Sequence, residues 1–167
     1  MSTSQLRVIQ DEVRFRVEEM VAAHGDWPCR RGCDDCCRRL ASVPTVTAPE
    51  WRAIADAIQL LPVPTAKLIR ERIQESSALS RPITCPLLDT RSGACLVYDA
   101  RPVACRTYGF YVERTDVLGC NRIEAIADQN AHLIWGNHVA VEEKLSALGP
   151  ASELHAWLAS DRAGGEE

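Results

Sequence analysis

Nowhere in these 167 residues does an apolar run approach the ~20 that a membrane-spanning helix needs. The opening Met1-Ser2-Thr3-Ser4-Gln5-Leu6-Arg7 leads into a charged amphipathic segment, not an apolar signal region. A cytoplasmic protein with no membrane partner is expected. Positive charge is in deficit too, with 19 Lys and Arg against 23 Asp and Glu for a net charge of −4. There is no basic tract interleaved with aromatics, which argues against DNA and RNA as partners. A glycine-rich phosphate loop and a dinucleotide fingerprint are both missing, so no nucleotide cofactor is expected. No nucleophile–base pair stands out. Lysine is nearly absent, and apart from Lys67 and Lys144 every basic residue is an arginine.

What is present suits an ordinary folded chain, at 46% hydrophobic and 25% charged. The length fits one domain, expected over residues 1–160, with the cysteine motif at 29–120 and a flexible tail at 161–167. The unusual component is sulfur. Four of the eight cysteines, Cys29, Cys33, Cys36 and Cys37, fall within nine residues, and Cys85, Cys95, Cys105 and Cys120 follow in one later stretch. At about 5% of the chain, cysteine stays below the roughly 8–10% of disulfide-dense scaffolds. In a reducing compartment, thiols crowded at short spacing read as metal ligands before they read as crosslinks.

Periodicity predicts a mainly α fold of about five helices. Leu6, Ile9, Val13, Val17, Met20, Val21 and His24 make one stripe of a helix over 4–24, which Gly25 ends. His24 stands close enough to the first cysteines to be weighed as a ligand, against the commoner role of satisfying helix-end carbonyls. Thr47-Ala48-Pro49-Glu50 is a helix start, and Trp51, Ile54, Ala55, Ile58 and Leu61 follow as the buried stripe of 48–61. Thr65 caps a third helix to 79 that buries Leu68, Ile69 and Ile73. A long helix over 122–148, interrupted or kinked at Gly136, buries Ile123, Ile126, Leu133, Ile134, Val141, Leu145 and Leu148, and leaves His132, Trp135 and His138 at the surface. A short helix over 152–160 docks Leu154, Trp157 and Leu158.

Between the third and fourth helices the pattern changes. Cys85-Pro86-Leu87-Leu88 and Ala94-Cys95-Leu96-Val97-Tyr98 form the arms of a small hairpin, and Asp99 with Pro102 starts a turn or two of helix that carries Cys105 back toward the same place. A metal centre would join this region to the N-terminal cysteine loop. Closed zinc sites and cubane clusters each take about four ligands, so eight sulfurs fit two centres, one centre with accessory thiols, or a bridged arrangement. The adjacent Cys36 and Cys37 fit two centres or a bridge better than one tetrahedral ion, because neighbouring side chains diverge. The gaps of three and two also match the cluster loop of radical S-adenosylmethionine enzymes, but Asp35 stands where that loop has an aromatic residue.

The whole pattern, from Cys29-x3-Cys33-x2-Cys36-Cys37 through Cys85-Pro86-Leu87-Leu88 and Gly93-Ala94-Cys95-Leu96-Val97-Tyr98-Asp99-Ala100-Arg101-Pro102-Val103-Ala104-Cys105-Arg106 to Cys120, resembles the bacterial YkgJ-like cysteine-cluster family. One departure is the first gap, three residues where the family's usual description has two. The resemblance implies that all eight cysteines bind a metal, zinc or iron. Similar proteins are often labelled iron–sulfur oxidoreductases, which implies a redox role, and a related cluster occurs in flagellin lysine methylases. Three cysteines so spaced can wrap a cubane, which favours an iron–sulfur cluster over zinc. The alternatives are a zinc-stabilised interaction module and a metal storage or transfer protein. Arg101 and Arg106, next to ligand cysteines, are candidates to offset thiolate charge, while pairing of the local arginines with Asp34, Asp35 and Asp99 is the competing role.

Overall fold

The computed structural model describes residues 2–130 and 132–163. Helix α1 (Ser2–His24) leads into a cysteine loop with a single helical turn, α2 (Asp35–Arg38), and then strand β1 (Thr45–Thr47), α3 (Ala48–Gln59) and α4 (Val63–Glu75). Strands β2 (Leu88–Asp89) and β3 (Ala94–Cys95) pair as the expected hairpin, with Leu88 opposite Cys95. The short α5 (Val103–Thr107) is followed by β4 (Tyr111–Glu113), β5 (Asp116–Val117), α6 (Asn121–Gln129), β6 (Gly136–Asn137), α7 (His138–Ser146), β7 (Ala151–Glu153) and α8 (Leu154–Ala163). The protein is mainly helical, as expected, but with eight α-helices among the described residues instead of about five. The extra ones are the turns that carry cysteines and the product of a break in the last long helix. No helix among the described residues is long and apolar enough to cross a membrane.

Past the end of α6 at Gln129, the chain enters strand at a position that only glycine fits. Gly136 lies so close to the Tyr111 ring that an added Cβ would fall 2.4 Å from it, and its segment pairs in parallel with β4. Only a residue without a side chain lets the backbone pass there. The stretch expected to be helix interrupted or kinked at Gly136 already leaves the helix after Gln129 and becomes strand at Gly136. Ile134, predicted to be buried, is 71% exposed, whereas Trp135 packs on Trp27 with ring centroids 5.8 Å apart and the His138 side chain is only 16% exposed. His132 is exposed as expected.

Elsewhere the boundaries shift for ordinary reasons. Helix α4 begins at Val63, two residues before the predicted Thr65 cap, because Pro64 sits in the first turn, where a missing N–H costs nothing. It ends at Glu75 with a 3₁₀ turn, Ser76–Ala78. Leu68, placed on its buried stripe, is 44% exposed. Helix α8 runs into the segment expected as tail, where Asp161 accepts a hydrogen bond from Trp51 Nε1 at 2.8 Å and Arg162 donates to Gln74 at 3.0 Å. The rest of that segment, 164–167, lies outside the described residues.

The apolar residues collect in two clusters. One joins α3, α4 and α8 through residues such as Ile54, Ile69 and Leu154, and the β1–β7 pair closes it. The other packs Leu6, Ile9 and Val13 of α1 against Val103 of α5, Ile123 of α6 and Val141 of α7. Glu50, only 4% exposed, bonds across the two. Its Oε2 accepts from Thr47 N and Thr47 Oγ1, both at 2.9 Å, completing the capping box of α3, while its Oε1 accepts from Val103 N at 2.9 Å, capping α5. Truncation would strand buried donors at two helix starts, at ~1–3 kcal/mol each. Glu50→Ala is expected to lose about 3 kcal/mol of stability in urea denaturation, with Glu50→Gln falling between it and the wild type.

Candidate metal centre

The first cysteine is positioned by aromatic packing. Past Gly25, in the left-handed region at φ 88°, Trp27 stacks on Phe110 with centroids 5.6 Å apart and donates from Nε1 to Gly109 O at 3.1 Å. This anchors the chain two residues before Cys29. The Cys29 sulfur then rests on the bare Cα of Gly109, where a Cβ would lie 2.3 Å from it, and φ of 86° at Gly109 independently favours glycine. His24 packs edge-on against Trp27, at 5.1 Å, and is not among the residues lining the cysteine cavity.

The three-residue first gap closes as a turn. Cys33 N donates to Arg30 O at 3.0 Å, with Gly32 at φ 92°. Cys36 and Cys37 then fall on α2, where their sulfurs lie 3.9 Å apart. The two cysteine segments are held together through the backbone. Cys85 N donates to Cys37 O at 2.7 Å, and Leu40 and Ile83 exchange both N–H···O bonds at 2.9 Å. Arg38 adds side-chain bonds to Asp34 at 2.6 Å and to Thr90 O at 3.0 Å, so the N-terminal loop also holds the hairpin turn. Within that turn, bonds from Ser92 Oγ at 2.6 Å and Arg91 N hold the Asp89 carboxyl below its usual range. Cys120 occupies the N-cap position of α6, next to Gly119, whose carbonyl accepts from the Tyr108 hydroxyl at 2.8 Å.

Seven of the eight cysteines, Cys29, Cys33, Cys36, Cys37, Cys85, Cys95 and Cys105, line one cavity of about 160 Å³. Cys120 is outside its lining, although it adds to the electrostatic burden on Cys29. All eight are free thiols. Burial pushes Cys29 up to about 12, aided by the sulfurs of Cys33, Cys120 and Cys36 and opposed by Arg122. Contact with Cys37, and then burial, raises Cys36 far above the ordinary thiol range. For Cys37 the strongest influence is the lowering bond from Cys36, but contact with Cys85 and burial outweigh it and carry the thiol up to about 12. Burial likewise raises Cys95. Cys105 is open to solvent where it lines the cavity, yet protein surrounds it densely enough for burial to push it up to about 12, with Cys37 and Cys36 adding to this.

These directions have one physical meaning. Without a cation the sulfurs cannot ionise together, because each negative charge would be desolvated beside others. They line a shared wall but are not drawn in to a point, and no three Cys, His, Asp or Glu side chains among the described residues are gathered around one ion position. Soft thiolates are the donors that zinc and iron–sulfur centres take, and a bound cation reverses the sign of the local electrostatics. The donor set therefore fits either metal, with binding coupled to proton release.

The two arginine candidates differ. Arg101 stacks on Tyr98, 3.9 Å from the ring centroid, and its charge favours the ionised forms of Cys95 and Cys105. Arg106 instead donates to the carbonyls of Arg101 and Asp99, bracing the turn between β3 and α5. Several other arginines take the competing role. Arg31 meets Asp99 at 2.7 Å, Arg38 meets Asp34 and Arg122 meets Asp35. Arg31 also lies over Tyr98, at 4.0 Å, so two guanidiniums share that ring. Sequence reasoning missed Trp27, Tyr108 and Gly109 as positioning residues, since only the fold brings 108–110 against the segment around Cys29.

A model of the CxxCxxCC family, described as a putative zinc- or iron-chelating domain, matches residues 28–132, a span that includes every cysteine. The chain belongs to this family. The YkgJ-like resemblance names the same group. No curated protein and no solved structure matches the chain. In the CxxCxxCC pattern the first gap is two residues, and the extra residue here is taken up in the turn from Arg30 to Cys33. Gly109→Ala, which clashes with the Cys29 sulfur and requires a strained φ, is expected to cost about 2 kcal/mol or more. It should also raise the rate at which Cys29 reacts with a thiol reagent, measured by mass spectrometry of the alkylated, digested protein.

Proposed function

We propose that this member of the CxxCxxCC family chelates metal through its eight cysteine thiolates, as an iron–sulfur centre with a redox role. The observation that carries the reading is the convergence of seven free thiols, from segments some fifty residues apart in sequence, on one cavity. Iron is favoured by the loop of Cys29, Cys33 and Cys36, whose spacing suits a cubane with a ligand completed from another segment. The cavity also carries two tyrosines and two arginines beside the sulfurs, which supports a centre shielded from bulk water and charge-balanced by protein.

A second reading is supported by the position of the cysteines. Cys37, Cys85 and Cys95 belong to one apolar cluster, and Cys29 and Cys120 pack on the other, so a metal there would join two small cores. Structural zinc does this in loop-rich regions. Anaerobic purification with metal and sulfide analysis separates the readings. The iron–sulfur centre predicts a brown protein whose visible absorption bleaches on reduction. A colourless protein with stoichiometric zinc would transfer the proposal to the structural role, and a protein that takes up neither metal would overturn chelation itself.

A further inference from the structure

Resting on the chelating reading above, we propose that the eight thiols form two separate four-sulfur sites. One is Cys29, Cys33, Cys36 and Cys120, and the other is Cys37, Cys85, Cys95 and Cys105. The seam runs between the adjacent residues Cys36 and Cys37.

Packing separates the two sets first. Cys29 and Cys120 lie against the cluster built on α1, α5, α6 and α7, whereas Cys85 is part of the cluster built on α3, α4 and α8, with Cys37 and Cys95 packed on it. Backbone geometry agrees. Cys37 is tied directly to Cys85 by the 2.7 Å bond, and Cys95 pairs with Leu88 three residues beyond Cys85. On the other side, Cys29 sits on Gly109, whose N–H bonds to Leu118 O two residues before Cys120. Cys120 alone is absent from the lining of the shared cavity, and it packs on the same apolar cluster as Cys29.

Arg106, bonded to the carbonyls of Arg101 and Asp99, holds the turn that carries Cys105 to the segment of Cys95. Cys36 and Cys37 stand at the seam on α2, where successive residues point about 100° apart and can face different centres while their sulfurs lie close together. Four thiolates satisfy one zinc ion or one cubane, so the division leaves neither set short of a ligand.

The spacing of 3.9 Å between the Cys36 and Cys37 sulfurs also suits two ligands of a single tetrahedral ion, so stoichiometry has to decide. Zinc(II) is titrated anaerobically into the reduced full-length protein against a chromophoric chelator. The wild type should take up two tight equivalents, Cys33→Ser and Cys105→Ser one each, and the double variant none. Both serines replace thiols that are at least partly exposed. Circular dichroism follows folding, and Cys120→Ser with Cys95→Ser provides a second pair should either of the first fail to fold. Cobalt(II) in place of zinc should show charge-transfer intensity for four thiolates per ion in each single variant. One equivalent in the wild type, lost in either variant, would overturn the division and leave chelation standing. Loss of both equivalents from one single variant would likewise overturn it in favour of a bridged pair. A wild type that binds no zinc and no cobalt would overturn both proposals.

Discussion

The bond from Cys85 N to Cys37 O, continued by the reciprocal pair between Leu40 and Ile83, is the constraint on which the sulfur site depends. It sets two segments nearly fifty residues apart in register, and the hairpin and α5 then follow with little freedom. Arg38 reaches Thr90 O from the same helical turn, so the hairpin tip is tied to the loop that carries the first cysteines. Without this pairing the thiols would belong to two loops. With it they face one another at the junction of two apolar clusters.

Such an arrangement is unfavourable for bare thiolates and favourable for a cation. The raised thiols show the first half, because burial heads the causes at Cys29, Cys95 and Cys105 and neighbouring sulfurs add to it at Cys29 and Cys105. Counter-charge from the protein is modest. Arg101 reaches the set from its place on Tyr98, and Arg31 and Arg122 act on Cys95 and Cys29 only from surface positions where, like Arg38, they are engaged with carboxylates. The remaining charge compensation is left to whatever the sulfurs bind.

Much of this was legible from residue order alone, where a local rule decided the outcome. The capping box at Thr47 and Glu50, the stripe of α1 and the hairpin closed at Gly93 all follow from neighbours in sequence. What was not legible depended on contacts between distant segments. The second oxygen of Glu50 finds Val103 only after α3 and α5 have packed, and the strand at Gly136 forms against a Tyr111 ring that leaves no room for a side chain there. Trp135 and His138 turn inward on either side of that strand, which a continuous 3.6-residue period could not indicate. The eight cysteines were apparent from spacing, but the packing of five of them on two separate cores needed three dimensions.

Gly32 and Gly109 both have positive φ, yet their surroundings differ completely. A Cβ at Gly32 would meet nothing within 4 Å, while one at Gly109 would run into the Cys29 sulfur. The loop between Cys29 and Cys33 therefore has room on the side that a Gly32 side chain would face, while Arg31 within it is held by Asp99 and Tyr98. Spare volume in this motif is thus found at its outer rim, and the segment opposite, around Gly109, has none to give.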